Sequence, residues 1–171
     1  MDSKNFYDVV DDFIVRNSSS KTLEKTAFID DNKSISYENL FNNIKSFAYS
    51  LHKIGLKTNN RVLIILEDSI DFPIAFLASI WGGVIPICIN TMLPENDYKY
   101  MIEDSEADAI IVSSSIYQTI KNAINKSKAK AKIIVSGNNI NSEISFNELL
   151  KEREIIEVAN TRLDDICLWM Y

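Results

Sequence analysis

The chain has 171 residues, enough for a single compact core and short for an enzyme that must hold two large substrates. Its 46% hydrophobic and 25% charged residues are those of a globular protein, and a formal charge of -6 argues against charge-driven binding to nucleic acid or to anionic membranes. Cys88 and Cys167 lie far apart in apolar stretches, which excludes a disulfide framework or a metal-ligand spacing.

Taken in chain order, Phe6, Val9, Val10, Phe13 and Ile14 recur at helical spacing, with Asn5 as the expected cap and Asp8 in the first turn. Residues 17–21 read as a polar, Ser-rich break. Thr26 to Asp30 and Ser34 to Tyr37 read as a small hairpin around Asp31-Asn32. A continuous apolar stripe (Leu40, Phe41, Ile44, Phe47, Ala48, Leu51, Ile54) then predicts a helix from Tyr37 to Ile54, capped by Ser36 and stopped by Gly55.

Strands and helices alternate from there: strand Val62–Leu66, helix Phe72–Trp81, strand Val84–Ile89, helix Asn96–Asp104, strand Ala109–Val112. Ile116, Tyr117, Ile120, Ala123 and Ile124 mark a further helix, and Ile133–Val135 a further strand. Ser145 and Glu148 have the spacing of a capping box opening a helix with Phe146, Leu149 and Leu150, and Ile166–Tyr171 reads as a last apolar strand. Such alternation predicts an α/β fold, a parallel sheet with right-handed crossovers and helices on both faces.

Phe72 to Ile89 is an uncharged run long enough to raise the question of a membrane span. Gly82, Gly83 and Pro86 break it, and its second half is β-branched, so a buried helix, a Gly-Gly stop and a core strand are expected instead. Both cysteines read as buried thiols in a reducing compartment. The first residues lack the basic-then-apolar order of a secretory signal, so the expected location is the cytoplasm.

In an open parallel sheet ligands bind beside the carboxyl ends of strands, which nominates Glu67-Asp68-Ser69, Asn90-Thr91 and Ser113-Ser114-Ser115. Asp, Ser and Thr at these positions also cap the helices that follow. A phosphate cradle needs clustered glycines, and the four present, Gly55, Gly82, Gly83 and Gly137, form no such loop. His52, the one histidine, sits at the edge of a helical stripe and reads as a boundary residue. Asp11-Asp12, Asp30-Asp31 and Asp164-Asp165 read as helix-end, hairpin and turn residues, the lysines from Lys121 to Lys132 as a solvated helix end, and Tyr98, Tyr100 and Met101 as core.

The segments K-T-A-F-I-D-D from Lys25, Y-E-N-L from Tyr37, and I-G-L followed by R-V-L-I-I-L between Ile54 and Leu66 resemble the amino-terminal region of adenylate-forming enzymes. D-S-I-D-F-P-I-A-F from Asp68, G-G-V-I-P-I-C-I-N-T from Gly82 and D-Y-K-Y-M from Asp97 are similar to the benzoate-CoA ligase branch. Two departures are Gly82, where alanine is more usual, and Pro94, where a capping Thr would be comfortable.

The resemblance implies a partial amino-terminal domain over residues 1–171, with a Rossmann-like parallel sheet, ending at D-D-I-C-L-W-M-Y just before the family's phosphate loop. It also implies a parent that uses ATP, CoA and Mg²⁺ to turn a small carboxylic acid into its CoA thioester. The phosphate loop, the nucleotide contacts and the catalytic lysine would follow Tyr171. No catalytic, cofactor-binding or metal residue is therefore expected on this chain, and its expected partner is the remaining carboxy-terminal portion. Two other expectations stay open: a free-standing, non-catalytic α/β binding module, and a membrane anchor at Phe72–Ile89.

Overall fold

The computed structural model describes residues 7–171. Helix α1 (Val9–Arg16) begins at Asp8, whose carboxylate accepts from the Val10 and Asp11 amides and supplies two of the bonds a helix start lacks. Asp8, expected in the first turn, is thus the cap itself; Asn5 and Phe6 lie outside the described residues. The polar break contains a one-turn helix, α2 (Ser20–Leu23), preceded by Ser19, whose hydroxyl lies 2.9 Å from that of Thr22. The hairpin forms as expected, β1 (Thr26–Ile29) pairing antiparallel with β2 (Ser34–Ser36).

Helix α3 (Tyr37–Lys53) follows directly, capped by Ser36 Oγ on the Asn39 amide, with Leu40, Ile44, Phe47, Ala48 and Leu51 fully buried. Burying each large member of that stripe contributes about 1.5–3 kcal/mol. Gly55 just beyond has φ +103°, which ends the helix in the left-handed region that glycine adopts without strain.

The alternating segments form β3 (Arg61–Ile65), α4 (Asp71–Trp81), β4 (Ile85–Cys88), α5 (Glu95–Ser105), β5 (Ala109–Ser113), α6 (Tyr117–Asn125) and β6 (Lys132–Ser136). A two-residue strand β7 (Ile144–Ser145), the one-turn helix α7 (Phe146–Leu149) and β8 (Trp169–Met170) complete the chain. The six strands from β3 onward make one parallel sheet in the order β7-β6-β5-β3-β4-β8.

Both sheet faces are covered, as βαβ crossovers require. Val62, Ile64, Ala109, Ile111 and Ile134 pack beneath α3 and α4. Leu63, Ile65, Ile110, Val112 and Ile133 pack against α5 and α6 on the other face. The uncharged run Phe72 to Ile89 is α4, a Gly-Gly turn and β4, and among the described residues no helix is long and apolar enough to cross a membrane.

Four expectations need correction. Only two residues of the predicted final strand pair with the sheet, because Ile166 and Leu168 lie in a stretch whose backbone finds no ladder partner. Cys167, in that same stretch, is exposed and Cys88 half-buried. Tyr100 is 59% exposed rather than in the core, since it falls on the outer face of α5, whereas Tyr98 is buried. The segment opened by Ser145 is a single turn: its hydroxyl caps the Glu148 amide but also donates to Asn139, and the chain leaves the helix at Leu150.

Candidate functional site at the carboxyl edge of the sheet

β3 hands the chain on to β4 through α4, while its neighbour β5 hands it on to β6 in the opposite direction through α6. Their carboxyl ends therefore part, opening the crevice where sheets of this type receive ligands. A cavity of about 540 Å³ occupies the position, and two of the three nominated segments, Glu67-Asp68-Ser69 and Ser113-Ser114, line it. Ser113 Oγ joins them by accepting from the Glu67 amide at 2.9 Å. Ser115 does not line the cavity.

The β1–β2 turn is drawn over this crevice by charge. One Asp30 carboxylate oxygen accepts from the Asn32 and Lys33 amides, and the other accepts from the Ile70 amide at 3.0 Å, pinning the turn to the start of α4. Those bonds, first the one from Ile70, hold its pKa below the usual carboxylate value. Asp71, buried at 6% exposure, accepts from Lys33 Nζ at 3.3 Å and from the Ser136 hydroxyl at 2.7 Å, so both its oxygens are satisfied. Sequence reasoning missed Lys33, Asp71 and Ser136 as a group; the one available signal was an acidic residue opening the helix after β3.

These residues do not fit a nucleotide. Asp30, Asp31, Glu67, Asp68 and Asp71 surround the crevice against Lys33 alone, a field that repels polyphosphate. The glycine at its rim, Gly137, has φ +94° but lies against Ser114, whose hydroxyl already accepts the Asn138 amide. The Asn32, Lys33, Glu67 and Asn138 amides around the crevice are already taken up by Asp30, Ser113 and Ser114, and so are not free for an anion. Among the described residues no three side chains of metal-binding type converge.

The third nominated segment lies apart, at the end of β4. Asn90 Oδ1 accepts from the Met92 amide, and the buried Tyr98 hydroxyl donates to the Asn90 carbonyl at 3.0 Å while accepting from the Leu93 amide. This latch shapes the loop before α5. His52 bridges helices: its Nε2 lies 2.8 Å from the Gly82 carbonyl oxygen and donates to it, tying α3 to the end of α4. Burial pushes the Cys88 thiol up to about 11, so it carries too little thiolate near neutrality to act as a nucleophile.

A sequence profile of the AMP-binding enzymes matches residues 15–171. The chain is 38% identical over 167 residues to the benzoate–CoA ligase of Thauera aromatica, covering 96% of this chain and 31% of that protein. It is 32% identical over 166 residues to the 4-hydroxybenzoate–CoA/benzoate–CoA ligase of Rhodopseudomonas palustris, again 96% of this chain and 31% of the relative. Among solved structures, the benzoate CoA ligase of Burkholderia xenovorans LB400 superposes with a TM-score of 0.88 at 31% identity, covering 96% of this chain and 32% of that one. The chain thus belongs to the AMP-binding enzyme family, and it spans about 31% of the length of these curated relatives.

Proposed function

We propose that this chain is the amino-terminal part, residues 1–171, of an AMP-forming acid:CoA ligase acting on benzoate or a related aromatic acid. In that reaction the acid's carboxylate attacks the α-phosphorus of ATP, giving an acyl-adenylate and pyrophosphate. The CoA thiol then attacks the acyl carbon and releases AMP, leaving a thioester. The observation that carries the reading is the 38% identity to a benzoate–CoA ligase across nearly the whole chain.

The part this chain plays is that of a scaffold, with no catalytic, cofactor-binding or metal-ligating residue of its own. Its acidic carboxyl-edge crevice supports that division, because ATP and Mg²⁺ need donors and glycines that these residues do not supply. ATP, CoA and the small carboxylic acid would be held by the remaining portion of the protein, in the cytoplasm. The test is benzoate-dependent release of AMP with formation of benzoyl-CoA, measured on the protein translated from the whole reading frame and on the 171-residue chain. The expected result is turnover by the former and none by the latter; turnover by the chain alone, or an inactive complete protein, overturns the proposal.

A second reading, a free-standing α/β binding module, draws support from the sheet, which has both faces covered within these residues. A reading frame that closes directly after Tyr171 would favour it.

A further inference from the structure

Among the described residues, β1 and β2 form a two-stranded sheet of their own, apart from the main parallel sheet. A lone pair of strands is marginal in water unless a further strand or a helix supports it. β2 has that support: it runs straight into α3, and Ile35 is buried in the core that α3 covers. β1 has a strand on one edge only.

Two large apolar side chains sit at that free edge. Phe28 pairs with Ile35, so the two share a face, yet Ile35 is buried while Phe28 beside it is 41% exposed. Ile29 points to the other face and is 77% exposed. Backbone groups are unused there as well. The Asp30 amide donates to the Lys33 carbonyl at 3.0 Å, and bonded and non-bonded pairs alternate along antiparallel strands. The next pair, Ile29 with Ser34, therefore turns its N–H and C=O groups away from the hairpin. A register shift between Thr26 and Phe28 confines regular pairing on this edge to the stretch near the turn, which suits a short strand. An unpaired edge that carries apolar side chains on both faces is a template for another strand.

We propose that β1 accepts a short third strand from the carboxy-terminal portion of the same polypeptide, whose apolar side chains lie against Phe28 and Ile29. The inference rests on the ligase reading, under which this chain, 31% of the length of its relatives, leaves most of the polypeptide to supply that strand. A segment of the same polypeptide reaches the edge at an effective concentration on the order of millimolar, which a second copy in dilute solution does not. Pairing there also fixes the hairpin whose Asp30 is bonded to the Ile70 amide, so assembly with the rest of the protein sets the turn over the crevice.

Hydrogen exchange on the 171-residue chain and on the protein translated from the whole reading frame tests this. In the short chain the outward Ile29 amide should exchange near the rate of an unstructured peptide, and in the complete protein about a hundredfold more slowly. Ile29→Pro deletes that N–H without removing a bond inside the hairpin. It should leave urea unfolding of the short chain unchanged and speed exchange of the Phe28 amide in the complete protein alone. Ile29→Lys, which places a charge on the edge, should do the same. The proposal is overturned if Ile29 exchanges equally fast in both proteins, or if the substitutions act equally on both. Protection that appears in the short chain as its concentration rises also overturns it, making a second copy the occupant. Benzoate-dependent AMP release by the same complete protein reads the ligase assignment separately: activity with an unprotected Ile29 overturns this inference and leaves that assignment standing, and a reading frame that closes after Tyr171 overturns both.

Discussion

The body from Tyr37 to Ser136 and the tail from Leu150 to Tyr171 are held by different physics. In the body, every strand from β3 to β6 and every helix between them buries a repeating apolar face, and the backbone bonds itself in ladders. In the tail, backbone carbonyls are caught by side chains of α3 and α4, and most large apolar residues stay exposed. The first mode stabilises through area and cooperativity; the second fixes a path with little burial. A chain that uses both should respond very unequally to substitution along its length.

The largest effect belongs to the body. Phe47 is fully buried with its ring 4.4 Å from that of Phe146, so Phe47→Ala should cost about 3–5 kcal/mol in urea unfolding, whereas Ile155→Ala at 58% exposure should stay within about 0.5 kcal/mol. Equal effects would dissolve the contrast. At the seam between the two regions, Gly83 has φ +71° and an added Cβ would fall 2.8 Å from the Ala159 side chain. Gly83→Ala should therefore cost about 1–3 kcal/mol and speed tryptic cleavage after Arg153 and Arg162.

Smaller still, Ser46→Ala and Ser50→Ala should each remove about 1 kcal/mol, visible as faster exchange in the tail before any change in the sheet.

The least effect is on pH dependence, and two carboxylates outside both regions, Asp30 bonded to Ile70 of the body and Asp8 lying against Thr161 of the tail, carry opposite signs. Asp30, whose pKa is lowered from 3.8 chiefly by the Ile70 amide, contributes stability above pH 3.8 that is lost as pH falls through its folded value. Asp8 has its pKa raised from 3.8 by burial, against the amide bonds that lower it, so its contribution is full below 3.8 and lost as pH rises through the folded value. In acid unfolding curves Asp30→Asn should flatten the loss below pH 3.8, and Asp8→Asn should remove the decline on the other side. The reverse pattern would contradict the bonding assigned to both.

What the sequence disclosed follows the same division. The stripe from Leu40 to Ile54 is periodic and the β-branched runs at Val62, Ile110 and Ile133 are continuous, as strands buried on both faces require, and both patterns are what a sequence displays. α2, β7 and the two-residue β8 are too short to carry a period. The path of the tail rests on Ser46, Ser50 and Trp81, which are 75 to 106 residues away from the carbonyls they or their neighbours hold. At the candidate site the strand ends were legible from topology alone. Lys33, Asp71 and Ser136 were not, because partners 38 and 65 residues apart meet only in the folded chain.

That site also bears on the central claim, that this chain frames an adenylate-forming reaction without holding the nucleotide. Titrating ATP with Mg²⁺ into the folded 171-residue chain by calorimetry tests it most directly. The prediction is no saturable heat up to millimolar nucleotide, with the carboxylates of the crevice leaving polyphosphate unbound. Stoichiometric binding, abolished by Lys33→Ala, would contradict it and make the crevice a nucleotide site.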